Sequence, residues 1–136
     1  MTPSGSRQGR VLVVAADSTI AAVVRHYLEL EGFTVLLAAH EVQALALARL
    51  SHPQLVVIGV GSRGADSVPL LRVLRADPGL RRLPVLLVTP DIAGEAEASG
   101  ADDYLLTPVE PRRLAAHVRA LHERAERAAG AAAPVP

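Results

Sequence analysis

The chain of 136 residues has no cysteine, no tryptophan and no lysine; all 14 of its cationic side chains are arginine. Without cysteine there can be no disulfide framework, thiolate metal site or thiol nucleophile. Without lysine no ammonium group can act in catalysis or neutralise a bound anion. The formal net charge is zero, and the arginine pairs Arg81, Arg82 and Arg112, Arg113 do not extend into a cationic run that would follow a phosphate backbone. Nucleic acid is therefore not a favoured partner. No apolar stretch reaches the roughly 20 residues that a membrane helix needs, and Met1 to Gly9 is polar and lacks the apolar core of an export signal. A cytoplasmic protein with no membrane partner is expected.

What is present is one core's worth of apolar residues, 50% of the chain, enough for one compact domain and too little for two. Short, wholly apolar runs recur at Val11 to Ala16, Thr34 to Ala38, Leu55 to Val60, Val85 to Thr89 and Tyr104 to Leu106. Each is too continuous for a strand with one wet face, so the strands are read as covered on both sides, as in a parallel sheet. Between them lie segments of helical spacing: Ile20, Val23, Val24, Tyr27 and Leu28 after a cap at Asp17 or Ser18, with Gly32 as the stop; Glu41 to Leu50; and a third helix from near Ser67 to the Asp77, Pro78, Gly79 turn. Pro111 opens the last helix, whose buried stripe is Leu114, Val118, Leu121 and Ala125. Right-handed crossovers then place helices on both faces of the sheet. The fold expected is α/β, a three-layer, doubly wound, parallel five-stranded sheet of order 2-1-3-4-5, flavodoxin-like. Residues 1–9 read as a flexible N-terminus, 10–127 as the domain and 128–136 as a disordered tail, with no linker to an output domain.

Four stretches carry a family likeness: Val11-Leu-Val-Val with Asp17 following, Leu55-Val-Val-Ile, Val85-Leu-Leu-Val-Thr89, and Gly100-Ala-Asp-Asp-Tyr-Leu-Leu-Thr-Pro108 followed by Pro111, Leu114 and Arg119. Together they resemble the receiver domain of bacterial response regulators, most closely those of winged-helix transcriptional regulators. The resemblance implies a site of two acids after the first strand, an acceptor aspartate after the third and a lysine after the fifth. The acids hold magnesium, and with the lysine the metal offsets charge on the phosphoryl oxygens. Matched residue by residue, the acid pair falls on Ala15 and Ala16, the acceptor on Gly59 and the lysine on Thr107. Asp17 alone stays acidic; even if the alignment slips by one residue, a lone carboxylate is a poor magnesium site, and an N-cap is the expected role. Thr89 and Tyr104 match the family's switch pair, although both residue types are common in strands.

The resemblance thus implies a degenerate receiver: a stand-alone, non-phosphorylatable signalling module, not an enzyme, that needs no cofactor or metal and acts through protein contacts. Its emptied pocket, formed by Ala15, Ala16, Gly59, Thr89 and Thr107, is expected to be small and neutral. The surface of the fourth helix, fifth strand and fifth helix is implied as a partner or homodimer face, with Asp102, Asp103, Arg112, His117 and Arg119 as its charged residues; a solvated helix face is the alternative. From Thr89 to Gly100 the chain is about one helical turn shorter than comparable receivers, so the fourth helix, over Asp91 to Ser99, is expected to be short or partly unwound. The competing class is a receiver-like sensor of a small organic molecule in the emptied pocket.

Less favoured is nucleotide binding or an enzymatic role on a flavodoxin-like fold. Gly59-Val-Gly61-Ser-Arg-Gly64 spells a dinucleotide fingerprint, with Asp77 as a ribose ligand, but it follows the third strand and does not lead directly into a helix. The five histidines show no metal-ligand spacing, no serine stands in a nucleophile elbow, and Asp66 reads as a helix cap rather than a phosphate acceptor.

Overall fold

A computed structural model of the chain describes residues 9–60, 67–89 and 100–131. Five strands, β1 (Gly9–Ala15), β2 (Phe33–Ala38), β3 (Leu55–Val60), β4 (Val85–Thr89) and β5 (Asp103–Leu106), form one sheet. Its order is β2-β1-β3-β4-β5, and every neighbouring pair is parallel. Four helices are described: α1 (Ser18–Leu30), α2 (Glu41–Ser51), α3 (Ser67–Ala76) and the C-terminal α4 (Pro111–Ala131). The expected fold is the one found. β1 begins at Gly9, ahead of the expected start, and α4 runs to Ala131, past the expected domain end at 127. The expected fourth helix, over Asp91 to Ser99, lies outside the described residues, as does the glycine-rich loop from Gly61 to Asp66.

Alternation along the buried strands divides the core in two. Val11, Val13, Leu55, Val57, Leu86 and Val88 face α1 and α4, whose Val24, Leu28, Leu114 and Val118 complete that half. Leu12, Val14, Val56, Ile58, Val85 and Leu87 face α2 and α3, against Ala44, Ala48, Leu71 and Leu74. α2 contributes the small Ala44 and Ala48 to this half, and α3 contributes the larger Leu70, Leu71 and Leu74.

β3 breaks the alternation at one residue. Ile58 packs on the α2 and α3 side and Val60 on the α1 and α4 side, although a period of two would place them together. The pairing with β1 shows why: Val14 is opposite Ile58 and Ala15 is opposite Val60, so Gly59 is an extra residue in a bulge. Gly59 has φ +99°, a conformation that glycine adopts at little cost and residues with a Cβ rarely visit.

Helix ends follow local chemistry. The Asp17 carboxylate accepts from the Thr19 and Ile20 amides at 2.8 and 3.0 Å and caps α1. Gly32, at φ +96°, ends the turn after it. His40 caps α2 through Nδ1, which accepts from the Gln43 amide.

Candidate functional site at the carboxyl edge of the sheet

The parallel strands deliver Ala15, Gly59, Thr89 and the Thr107 loop to one edge. Ala15 ends β1 and is 5% exposed, while Ala16, the next residue, is exposed. Gly59 lies in the β3 bulge. Thr89 ends β4 and is 4% exposed. The Thr107 amide donates to the Thr89 carbonyl at 3.0 Å, extending the β4 and β5 pairing into the loop. Ala15, Gly59, Thr89 and Thr107, with Ala16 and Asp17 directly after β1, therefore lie at the carboxyl ends of β1, β3, β4 and β5, which is where open α/β sheets bind ligands.

These residues do not fit a magnesium ion. Two alanine methyls and a glycine supply no oxygen ligand beyond backbone carbonyls, and the Asp17 carboxylate is already used by two amides of its own helix. Magnesium requires near-octahedral oxygen coordination with anionic ligands. Among the described residues no group of three His, Cys, Asp or Glu side chains could hold a metal ion.

Beside the strand ends lies a cavity of about 480 Å³, and Thr107 is the residue of the expected pocket that lines it. Its other walls come from Thr19, Val23 and Val24 of α1, Val60 and Val88 of the sheet, and Leu114 of α4. The bulge contributes to this wall: with Gly59 as the extra residue, Val60 turns toward α1 and α4 and lines the cavity.

The charges expected on a partner face are placed unevenly. Asp102 is committed within the chain: its Oδ2 accepts from Arg75 Nη2 at 2.7 Å and from the Val85 amide at 2.8 Å. Arg119 Nη1 donates to Glu31 at 2.7 Å, tying α4 to the end of α1, and Arg112 lies 5.8 Å from the centre of the Tyr27 ring on α1. Both arginines thus face α1 rather than the β5 edge. Asp103 and His117 do share the β5 edge, with Asp103 Oδ2 3.7 Å from His117 Nδ1. They line a groove of about 600 Å³ with Leu106 and Arg113. Tyr104 is half-buried against the α2 and α3 core.

Arg75 was not legible as a functional or structural residue in the sequence. Its fork reaches the Gly100 carbonyl through Nε, the Arg81 and Leu83 carbonyls through Nη1, and Asp102 through Nη2. No spacing signals this, because its partners lie in two separate loops. Asp77, weighed as a ribose ligand, instead pairs with Arg49 at 2.9 Å and accepts from the Gly79 amide. The Arg49 guanidinium and that amide hold its carboxyl below the ordinary carboxylate value. The remaining fingerprint residues beyond Val60 lie outside the described residues. No described helix is long and apolar enough to cross a membrane.

Comparison with known proteins agrees with this topology. Residues 11–119 match the model of the response regulator receiver domain. The chain is 36% identical over 116 residues to the DNA-binding response regulator MtrA of Mycolicibacterium paratuberculosis, covering 82% of this chain and 50% of that protein. It is 32% identical over 122 residues to the DNA-binding dual master transcriptional regulator RpaA of Synechocystis, covering 87% of this chain and 51% of the relative. The chain thus spans about half the length of the curated relatives it matches. Among solved structures, the signal receiver domain of a signal transduction histidine kinase from Syntrophus aciditrophicus superposes with a TM-score of 0.74 at 29% identity, over 88% of this chain and 93% of the other. With a five-stranded 2-1-3-4-5 sheet and a family match that runs from β1 into the C-terminal helix, the chain belongs to the response regulator receiver domain family.

Proposed function

We propose that this receiver works without phosphorylation, as a signalling module that acts through contact with a protein partner. The observation that carries the reading is the chemistry of the sheet edge: a buried methyl at Ala15, a glycine in a bulged backbone at Gly59 and a hydroxyl at Thr107 stand at the three stations that need two acids, an acceptor and a cation. A carboxylate cannot attack phosphorus efficiently unless the charge gathering on the phosphoryl oxygens is offset, and here neither the nucleophile nor its neutralising groups are present. Receiver domains are signalling modules rather than typical enzymes.

The partner surface that fits best is the β5 edge, where Asp103, Leu106, Arg113 and His117 line the open groove. Leu106 is 44% exposed there, an apolar anchor within a polar rim. A protein partner, a second copy included, suits that mixture better than nucleic acid does. The relatives MtrA and RpaA are named as DNA-binding, but this chain covers about half of each, and the neutral overall charge gives it no electrostatic footprint for a duplex. The test is incubation with a small-molecule phosphoryl donor and magnesium, read by intact mass. The wild-type chain and Gly59→Asp are both expected to remain unmodified, the variant because its acid pair and lysine are still missing. An aspartyl phosphate on either protein contradicts the reading.

A further inference from the structure

We propose that the cavity between α1, the β3 and β4 ends and the start of α4 is a binding site for an uncharged, largely apolar small molecule. At about 480 Å³ it lies within the range of small-molecule sites, about 300 to 1,000 Å³. Among the described residues that line it, none has an ionisable side chain. Val24, Val60, Val88 and Leu114 are buried and form its deeper wall. Thr19 and Thr107 bring the only side-chain hydroxyls among the described lining residues, which suits a ligand that carries at most a hydroxyl, carbonyl or amide beside its apolar body. A charged ligand would surrender hydration and meet no opposite charge.

Two further features set this cavity apart from a chance gap in packing. At its rim Ile20 and Val23 are each 40% exposed; they lie three residues apart on α1, so both branched side chains stand on the same helix face. Water against such walls gains few hydrogen bonds, and cavities of this chemistry bind apolar molecules in preference to water. The second feature is the Gly59 bulge, which turns Val60 into the cavity wall. The residue that replaces the phosphate acceptor therefore helps to build the apolar site. Val60 and Val88 directly adjoin Gly59 and Thr89, so occupancy is felt at the strand ends where a phosphoryl group would act in other receivers. This inference goes beyond the phosphorylation-independent reading and does not require it.

The probe is Nile red, an uncharged apolar dye, titrated into the full chain and followed by fluorescence and by melting temperature. We expect saturable one-to-one binding with a blue-shifted emission and a raised melting temperature. Val23→Arg and Thr19→Trp, both at exposed positions of α1 that line the cavity, should each weaken binding at least about tenfold while circular dichroism shows an intact fold. Val42→Arg, at a position 74% exposed on α2, should leave binding unchanged. Absence of saturable binding overturns the proposal. So do binding that ignores both α1 variants, equal loss in Val42→Arg, and equally tight binding of the anionic dye 8-anilinonaphthalene-1-sulfonate.

Discussion

At the scale of the residue, Gly59 does more than lack a side chain. Its φ of +99° and its place as the extra residue opposite β1 make the bulge depend on glycine. Gly59→Asp is therefore expected to lower folding stability by about 1 to 3 kcal/mol, the range for a non-glycine residue held in such a conformation. Chemical denaturation measures this, and unchanged stability would show that the strand relaxes freely. His122 is the opposite case, a polar side chain that is buried. It is 4% exposed, packs edge-on against Phe33 at 5.5 Å, and neither ring nitrogen has a hydrogen-bond partner among the described residues. Glu126 approaches only to 4.0 Å, too far for a hydrogen bond. Because unsatisfied buried groups cost about 1 to 3 kcal/mol each, His122→Leu should raise the melting temperature by at least about 3 °C. A lower melting temperature would mean that the imidazole contributes something its surroundings do not show.

At the scale of the element, α1 shows what the last acid of the motif does. Asp17 spends its carboxylate on two backbone amides that have no partner within the helix. Asp17→Ala should cost about 0.5 to 2 kcal/mol, the usual worth of an N-cap, and the loss should be the same with and without magnesium. A loss that appears only in magnesium would make Asp17 a ligand. The cap was legible in the sequence because capping is a local matter, decided by residues two and three positions on. The strands were legible for a related reason: a segment buried on both faces needs apolar residues throughout. The β3 bulge was not, since Gly59 within an apolar run looks like a missing side chain, and only the pairing of Ala15 with Val60 reveals the extra residue.

At the scale of the whole molecule, charges were the hardest to place. Asp102 and Arg119 sit where the family likeness suggested an intermolecular face, yet they bind Arg75 and Glu31 of the same chain. Which partner a surface charge meets depends on loops brought together by the fold, which no spacing in the sequence encodes. The cavity escaped notice for the same reason, being walled by α1, two strand ends, a loop and α4. What the sequence offers on its own is an expectation for the electrostatic character of the sheet edge, because the residue types matched to the acids and the lysine are read without geometry. That character is the central claim, and thermal melting with magnesium and beryllium fluoride, an analogue of the phosphoryl group, tests it most directly. A working site at a hundredfold excess over its dissociation constant would add about 2.7 kcal/mol of stability. The account predicts superimposable melting curves with and without these ions, and a magnesium-dependent rise in melting temperature would contradict it.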